Sequence, residues 1–446
     1  MPILPVTLDR RAADPLHRQL SLAIRTLLAD GVVARGERLP SSRALAADLG
    51  VARSVTEQAY DQLVAEGWLE TRRGAGTYVA AQGHAIAPIP SRPPETDKRP
   101  VLRLDTGMPW IDPRHAAGWR RAWREVSTAA PPRGYDDPRG LPELRRLLAE
   151  RIGRIRAVRC DPEEVVVTGG TTDGLRHLLA ELRPGPVAAE DPGYRAAVAT
   201  VQAAGRAVVD LPAGRPVGPH ALVGAAAAYV TPAHQHPLGV VMSAADRLAL
   251  LAAATTAEAQ IVEDDYDSEF RYDVAPVPAL ASLDRTRVTY LGTASKSVAP
   301  SLRLGWMVPP PELGEAIRRR RAATHDSVPW PVQRAFVTLL RDGYVDKVVR
   351  SARRVYAERA PRVVEAMSPY ATAAGPSAGM YSTWLMDAER ARTARAEARR
   401  AGFDVPLLAD YTRTSPLTGL VVAFGGVTDA QLDRVLAALR RGLARS

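Results

Sequence analysis

The sequence predicts an α/β protein with two folding units, a small helical head over residues 1–80 and a large unit over residues 101–446 with a mostly parallel sheet. Three observations predict it. A length of 446 residues exceeds what one ordinary core holds. Beyond Pro100, short β-branched runs alternate with helical patterns. Between the two lies a linker at 81–100, where Pro88, Pro90, Pro93, Pro94 and Pro100 interrupt a stretch with no hydrophobic periodicity, as in a semi-rigid spacer.

In the head, PLHRQLSLAIRTLLADG sets Leu16, Leu20, Ile24, Leu27 and Leu28 on one stripe at helical spacing and ends at Gly31. The turn GERLPSS follows, with Ser41 or Ser42 able to cap a short helix that stops at Gly50. A tight VARS turn starts a longer helix, Ser54 to Glu66, with Ala59, Tyr60 and Leu63 facing inward. Trp68 to Thr71 and Thr77 to Val79 read as a hairpin around Arg72-Arg73-Gly74-Ala75-Gly76. Three helices and a hairpin make a winged helix-turn-helix, whose recognition helix enters the DNA major groove; the wing arginines Arg72 and Arg73 suit phosphate or minor groove. A protein-docking domain is the alternative for such a piece.

The bulk numbers bound the rest. Hydrophobic content of 46% and charged content of 24% are those of a folded soluble chain. The formal net charge of +10 permits nucleic-acid binding, but residues 1–80 carry ten arginines against nine acidic residues, so DNA contact there depends on placement. The basic runs lie later, at Arg318 to Arg321, Arg395 to Arg400 and Arg440-Arg441; the first is a candidate second DNA-tracking surface, and the others read as solvated helix faces. A single cysteine, Cys160, excludes an intramolecular disulfide and fits a reducing compartment. MPILPVTLDRRAADP lacks a secretory apolar run, and no stretch approaches the roughly 20 residues of a membrane span, so a cytoplasmic location without membrane contact is expected. No metal site is expected.

Four strand ends carry the chemistry. VVVTGGTTDGL runs from a strand into a helix through Gly169 and Gly170, leaving backbone N–H groups free for an anion. IVEDDY ends a strand with carboxylates behind an apolar run, where a buried acid needs a cationic partner such as a protonated pyridine nitrogen. EDPGY brings Tyr194 to a strand end, where its ring can stack on a planar ligand. LGTASKSVAPSLRLG places Lys296 among Thr293, Ser295 and Arg303, in a chain whose only other lysines are Lys98 and Lys347. Two hydroxyls and an arginine can hold a phosphate. A desolvated lysine beside positive charge can attack a carbonyl, which arginine cannot do. Phosphate cradle, ring-nitrogen carboxylate, stacking aromatic and Schiff-base lysine together describe a pyridoxal 5'-phosphate site.

LPSSRALAADLGVARSVTEQAYDQLVAEGWLETRRGAGTYVA resembles the DNA-binding domain of the GntR family almost throughout, with Val55 departing from a usual threonine. By that resemblance Arg43, Arg53, Ser54 and Gly74 match positions that contact DNA. From about Arg133 onward the chain is similar to fold type I, aminotransferase-like domains, which implies a large domain and a small C-terminal α+β domain; the whole resembles the MocR regulators. The resemblance implies that Lys296 forms the Schiff base, Asp264 pairs with the pyridine nitrogen, Tyr266 bonds the ring hydroxyl and Tyr194 stacks on the ring. It assigns Gly170, Thr171, Thr172, Thr293, Ser295 and Arg303 to phosphate. It also implies that Tyr135 is lent to the partner of a homodimer, and that His234 stands where aminotransferases carry an asparagine at the ring hydroxyl.

Aminotransferases of this fold place an arginine in a C-terminal strand to clamp the substrate carboxylate. The matching stretch, Gly419 to Phe424, has none, and Arg413 is the nearest candidate. Such a clamp is worth up to about 3 kcal/mol and orients the substrate. The expectation is therefore a dimeric transcriptional regulator that binds operator half-sites in double-stranded DNA and senses a small molecule at Lys296. The effector is pyridoxal phosphate itself, reporting vitamin B6 status, or an amino compound, and the missing clamp tilts toward the former. Alternatives are a working aminotransferase carrying a DNA-binding head, and a plain repressor with a vestigial cofactor site.

Overall fold

The head is organised by its first and third helices. The computed structural model describes residues 4–72, 75–81, 101–272 and 277–445, and its contacts divide the chain into units at 1–97 and 98–446. In the head, helix α1 (Leu16–Ala29) precedes α2 (Ser42–Leu49) and α3 (Arg53–Ala65). Strands β1 (Leu69–Arg72) and β2 (Gly76–Val79) pair antiparallel. Leu20, Ile24 and Leu28 of α1 pack with Leu45 of α2 and with Ala59, Tyr60 and Leu63 of α3, so the apolar stripe read from the sequence is the core face. Ser41 caps α2 by accepting from the Ala44 amide at 3.2 Å, and Gly50 ends it at φ +62°. The α2–α3 angle is pinned from inside. Thr56 donates to the Ser42 carbonyl at 2.8 Å, and the buried Tyr60 hydroxyl donates to the Pro40 carbonyl at 2.9 Å.

The large unit opens with a short strand, β3 (Leu102–Arg103), then helices α4 (Ala116–Thr128) and α5 (Pro142–Arg156). The alternating body follows: β4 (Val166–Thr168), α6 (Thr171–Glu181), β5 (Val187–Asp191), α7 (Arg195–Ala203), β6 (Val208–Pro212), β7 (Ala227–Val230), α8 (Ala244–Thr256), β8 (Gln260–Asp265), β9 (Val288–Thr293) and β10 (Gly305–Val308). Among the described residues these form a seven-stranded sheet in the order β4-β10-β9-β8-β7-β5-β6. Only β10 runs antiparallel to its neighbours. Strand neighbours alternate between two apolar clusters. Val167, Ile261 and Tyr290 enter one, while Val166, Val262 and Leu291 enter the other. That two-sided burial explains the unbroken β-branched runs.

Three helices then leave the sheet, α9 (Pro311–Ala323), α10 (Trp330–Arg341) and α11 (Tyr344–Met367). The chain ends in a smaller α+β layer: β11 (Thr372–Ala373), β12 (Tyr381–Leu385), α12 (Ala388–Arg400), β13 (Phe403–Asp404), β14 (Gly419–Ala423) and α13 (Asp429–Leu443). Strands β11, β12 and β14 form an antiparallel sheet, and β13 pairs in parallel with β3. That pairing ties the start of the large unit to its C-terminal layer.

The Arg318–Arg321 run is not a four-arginine surface. It lies on α9, where a helical turn spreads consecutive residues around the axis. Arg321 points inward and donates to the Val167 carbonyl at 2.8 Å. Arg320 bonds Glu181 at 2.6 Å, and Arg318 pairs with Glu315 at 2.6 Å. Only Arg319 is exposed.

Candidate functional site

The C-terminal ends of the parallel strands open on a cavity of about 700 Å³, the place where sheets of this winding bind ligands. One side is the β4–α6 turn. Gly170 sits at φ +111°, and a Cβ there would stand 3.4 Å from the Arg303 guanidinium, so glycine lets backbone and arginine converge. The first amides of α6 have no partner within the helix, and Gly170, Thr171 and Thr172 line the cavity there. Thr293 and Ser295, hydroxyl to hydroxyl at 2.9 Å, line it from the end of β9 together with Arg303. Arg303 has no ion pair with a described residue. Two backbone turns, paired hydroxyls and a free guanidinium make an anion cradle.

The floor is acidic. Asp264, the penultimate residue of β8, is buried, and Tyr229 from β7 donates its hydroxyl to Oδ2. Oδ1 is buried without a partner. Burial pushes the Asp264 carboxyl up to about 7. An orphaned carboxylate oxygen in a cavity wall is costly unless a cation or proton meets it. Opposite stands Lys296, whose Nζ donates to the Gly107 carbonyl at 2.8 Å. Burial pulls its ammonium below the usual lysine range, with Asp267 and Asp264 opposing.

Tyr194, at the end of β5, is on the wall with its ring edge-on to His236 at 5.6 Å between centroids. The Tyr266 ring is also on the wall, while its hydroxyl shares a 2.7 Å hydrogen bond with Tyr381 and donates to the His234 carbonyl at 3.0 Å. Lys296, Asp264, Tyr266, Tyr194, Gly170, Thr171, Thr172, Thr293, Ser295 and Arg303 therefore meet at one cavity.

Two expectations need correction, and a third residue stands apart. His234 is not a wall residue. Its Nδ1 lies 2.7 Å from the buried Asp267 carboxylate, which turns the ring away. The wall histidine is His236, with Nε2 3.1 Å from the Thr106 hydroxyl. Burial, with Lys296 next, pulls its pKa down to about 3, so it is neutral. Arg413 is no substrate clamp. Its Nε bonds Asp210 at 2.6 Å, and Nη2 donates to the carbonyls of Ala189 and Glu190, so the side chain is spent holding the β5–β6 edge. Tyr135 lies outside the cavity wall, 81% exposed, stacked on His325 at 4.3 Å.

Sequence reasoning missed Thr106, Gly107, Arg195, His236 and Tyr411, which complete the wall. Gly107 arrives from more than 180 positions away, so no local signal marks it. His236 was within reach, because the loop AHQHPLG offers two histidines and only loop geometry chooses between them.

In the head, Arg43 on α2 and Arg53 and Ser54 at the start of α3 are exposed. The helix begins at Arg53, one residue earlier than read. Arg53 pairs with Glu57 at 2.7 Å on the surface. Arg72 packs its guanidinium 4.3 Å above the Tyr78 ring. Arg73 and Gly74 lie outside the described residues. Among the described residues no helix is long and apolar enough to cross a membrane, and no His, Cys, Asp or Glu group is arranged for a metal.

Known proteins align with both units. Residues 16–79 match the bacterial regulatory proteins of the gntR family, and residues 100–439 match aminotransferase class I and II. The chain is 32% identical over 446 residues to the HTH-type pyridoxine biosynthesis transcriptional regulator PdxR of Corynebacterium glutamicum, covering 97% of each. It is likewise 32% identical to the "Probable rhizopine catabolism regulatory protein MocR" of Rhizobium meliloti, covering 98% of this chain and 95% of that one. Among solved structures, an archaeal alanine:glyoxylate aminotransferase superposes with a TM-score of 0.67 at 24% identity, over 78% of this chain and 91% of that one. Thermus thermophilus aspartate aminotransferase gives 0.66 at 24%, over 77% and 92%. At those identities the likeness establishes the fold, which is that of pyridoxal-phosphate-dependent aminotransferases. With a gntR-type head joined to that domain, and curated relatives matched over nearly their whole length, the chain belongs to the MocR-type helix-turn-helix transcriptional regulators.

Proposed function

We propose that this regulator holds pyridoxal 5'-phosphate at Lys296 and that the state of that site sets DNA binding by the head. The single observation that carries the cofactor assignment is the buried, unpartnered Oδ1 of Asp264 in a cavity that also presents Lys296 and the Gly170–Arg303 cradle. Each residue has a task that its surroundings support. Arg303, the Thr293 and Ser295 hydroxyls and the α6 amides bind the phosphate. Asp264 meets the protonated ring nitrogen, and that cation removes the cost of its burial. Tyr194 and Tyr266 confine the ring. Lys296, desolvated and tied only to a carbonyl, offers a neutral amine. The bound cofactor supplies an aldehyde that condenses reversibly with amines.

A regulator suits these residues better than a working aminotransferase. Gly419 to Ala423 are buried, no arginine stands among them, and Arg413 is committed elsewhere. The relative named for pyridoxine biosynthesis makes vitamin B6 metabolism the first regulatory target to examine. The protein acts as a cytoplasmic homodimer on paired operator half-sites, with the exposed Tyr135 reaching the partner's phosphate cradle. Arg43, Arg53, Ser54, Arg72, Arg73 and Gly74 contact the DNA.

The test is reduction of the loaded protein with borohydride, followed by peptide mapping. A pyridoxyl adduct on Lys296, absent from Lys296→Ala, is the expected result. An adduct elsewhere, or none, overturns the assignment. Operator binding measured with and without cofactor then decides the regulatory half: equal affinity in both states rejects it.

A further inference from the structure

The cavity carries one more cation than the cofactor needs. Lys296 is taken by the aldehyde and Arg303 by the phosphate, and His236 is neutral. Arg195, the first residue of α7, also lines the cavity. It has no ion pair or hydrogen bond with a described residue. Its guanidinium lies 4.8 Å from the centroid of the Tyr411 ring, another wall residue. The cation–π contact steadies the planar group and leaves its N–H donors unspent. Asp105, on the same wall, is the only carboxylate there besides Asp264. It pairs with Arg103 at 3.2 Å, which offsets its charge. A guanidinium that faces a cavity with its donors free is placed for an anion, and its planar fork fits a carboxylate bidentately.

We infer that Arg195 is the anion-binding residue on the effector side of this cavity, and that the effector is a primary amine carrying a carboxylate. The amine takes the place of Lys296 on the cofactor while the carboxylate engages Arg195. The role that aminotransferases give to an arginine of the C-terminal strand thus passes to the start of α7, and the bare β14 no longer argues against an amino acid as the signal. This inference rests on the cofactor reading above.

The experiment uses the full chain loaded with pyridoxal phosphate. Amino acids of two to five carbons with a terminal amine, and alkylamines of equal length, are titrated against the visible absorbance of the cofactor. A charge-assisted bidentate contact predicts that the best amino acid half-saturates about tenfold or more below its alkylamine. Arg195→Ala and Arg195→Gln are expected to remove that preference, leaving alkylamine titration and cofactor loading as in the wild type, while Arg195→Lys keeps part of it. Equal titration of both series by the wild type, or a preference that survives both neutral variants, overturns the inference. Absence of a cofactor band in the wild type fails the cofactor reading itself and is distinguishable from either.

Discussion

The Nζ of Lys296 donates to the carbonyl of Gly107 at 2.8 Å, across 189 positions of sequence. Gly107 is also where a side chain would collide: a Cβ there would stand 2.9 Å from that Nζ. The missing methyl is therefore part of the lysine's pocket. Gly107→Ala is expected to displace the amine and weaken cofactor capture about tenfold, since small misplacement of a reacting group is costly. An absorbance titration measures it. Capture as tight as in the wild type would show that Lys296 does not depend on this carbonyl for its aim.

Lys296 also predicts a pH profile. Burial lowers its folded pKa below the ordinary 10.5, so the neutral amine becomes available at lower pH than for an exposed lysine. Cofactor capture should rise with pH through a midpoint below 10.5, read from stopped-flow absorbance. A midpoint at or above the ordinary value would mean that the amine is solvated.

Asp264 titrates with the opposite consequence for stability. Its folded pKa is raised from 3.8 to about 7 by burial. The protonated form is favoured in the folded state, so the contribution is full below the unfolded value and is lost as pH rises through the folded one. Cofactor-free protein should lose about 2–3 kcal/mol from this group between about pH 5 and pH 8. Asp264→Asn should remove that share of the slope in urea denaturation. The buried Glu190, also raised to about 7, keeps its own share in the variant. An unaltered slope would place Asp264 in water.

What the sequence carried and what it hid divide along the reach of each interaction. Strand ends were legible because two-sided burial forces β-branched runs, and the chemistry follows each run within a few residues, as in Asp264 after Ile261-Val262 and Lys296 after Val288 to Leu291. Contacts from distant segments were not. His234 and His236 share one loop, and only the carboxylate of Asp267 decides which turns away. Arg413 looked free until Asp210 and two carbonyls of β5 claimed it. Arg195 was passed over as a helix residue, because nothing local says that Tyr411 lies beside it.

The head makes a sharper test of recognition than of stability. Arg53 is exposed, and its bond to Glu57 is an i,i+4 surface pair worth about 0.5 kcal/mol at most. Arg53→Ala should leave thermal unfolding of the head nearly unchanged. It should cost operator binding about 1–3 kcal/mol, with cofactor absorbance intact. Footprints at wild-type protein concentration would remove Arg53 from the interface.

Arg321 should behave as a core residue, whatever its neighbours in the arginine run suggest. It is 1% exposed. Nη1 donates to the Val167 carbonyl at 2.8 Å and Nε to the Asp326 carbonyl at 3.1 Å. Val167 lies in β4, three residues before Gly170, so the same bond steadies the strand that delivers the phosphate cradle. Arg321→Ala would leave two buried carbonyls unpaired and open a cavity, at a cost of about 3 kcal/mol or more. Arg319→Ala, exposed on the same helix, should stay within about 0.5 kcal/mol. Urea denaturation of the two single variants separates them. Neutralising the whole run would mix an unfolding effect with any loss of DNA affinity, so only Arg319, alone or with Arg318, can report on DNA contact through the salt dependence of binding.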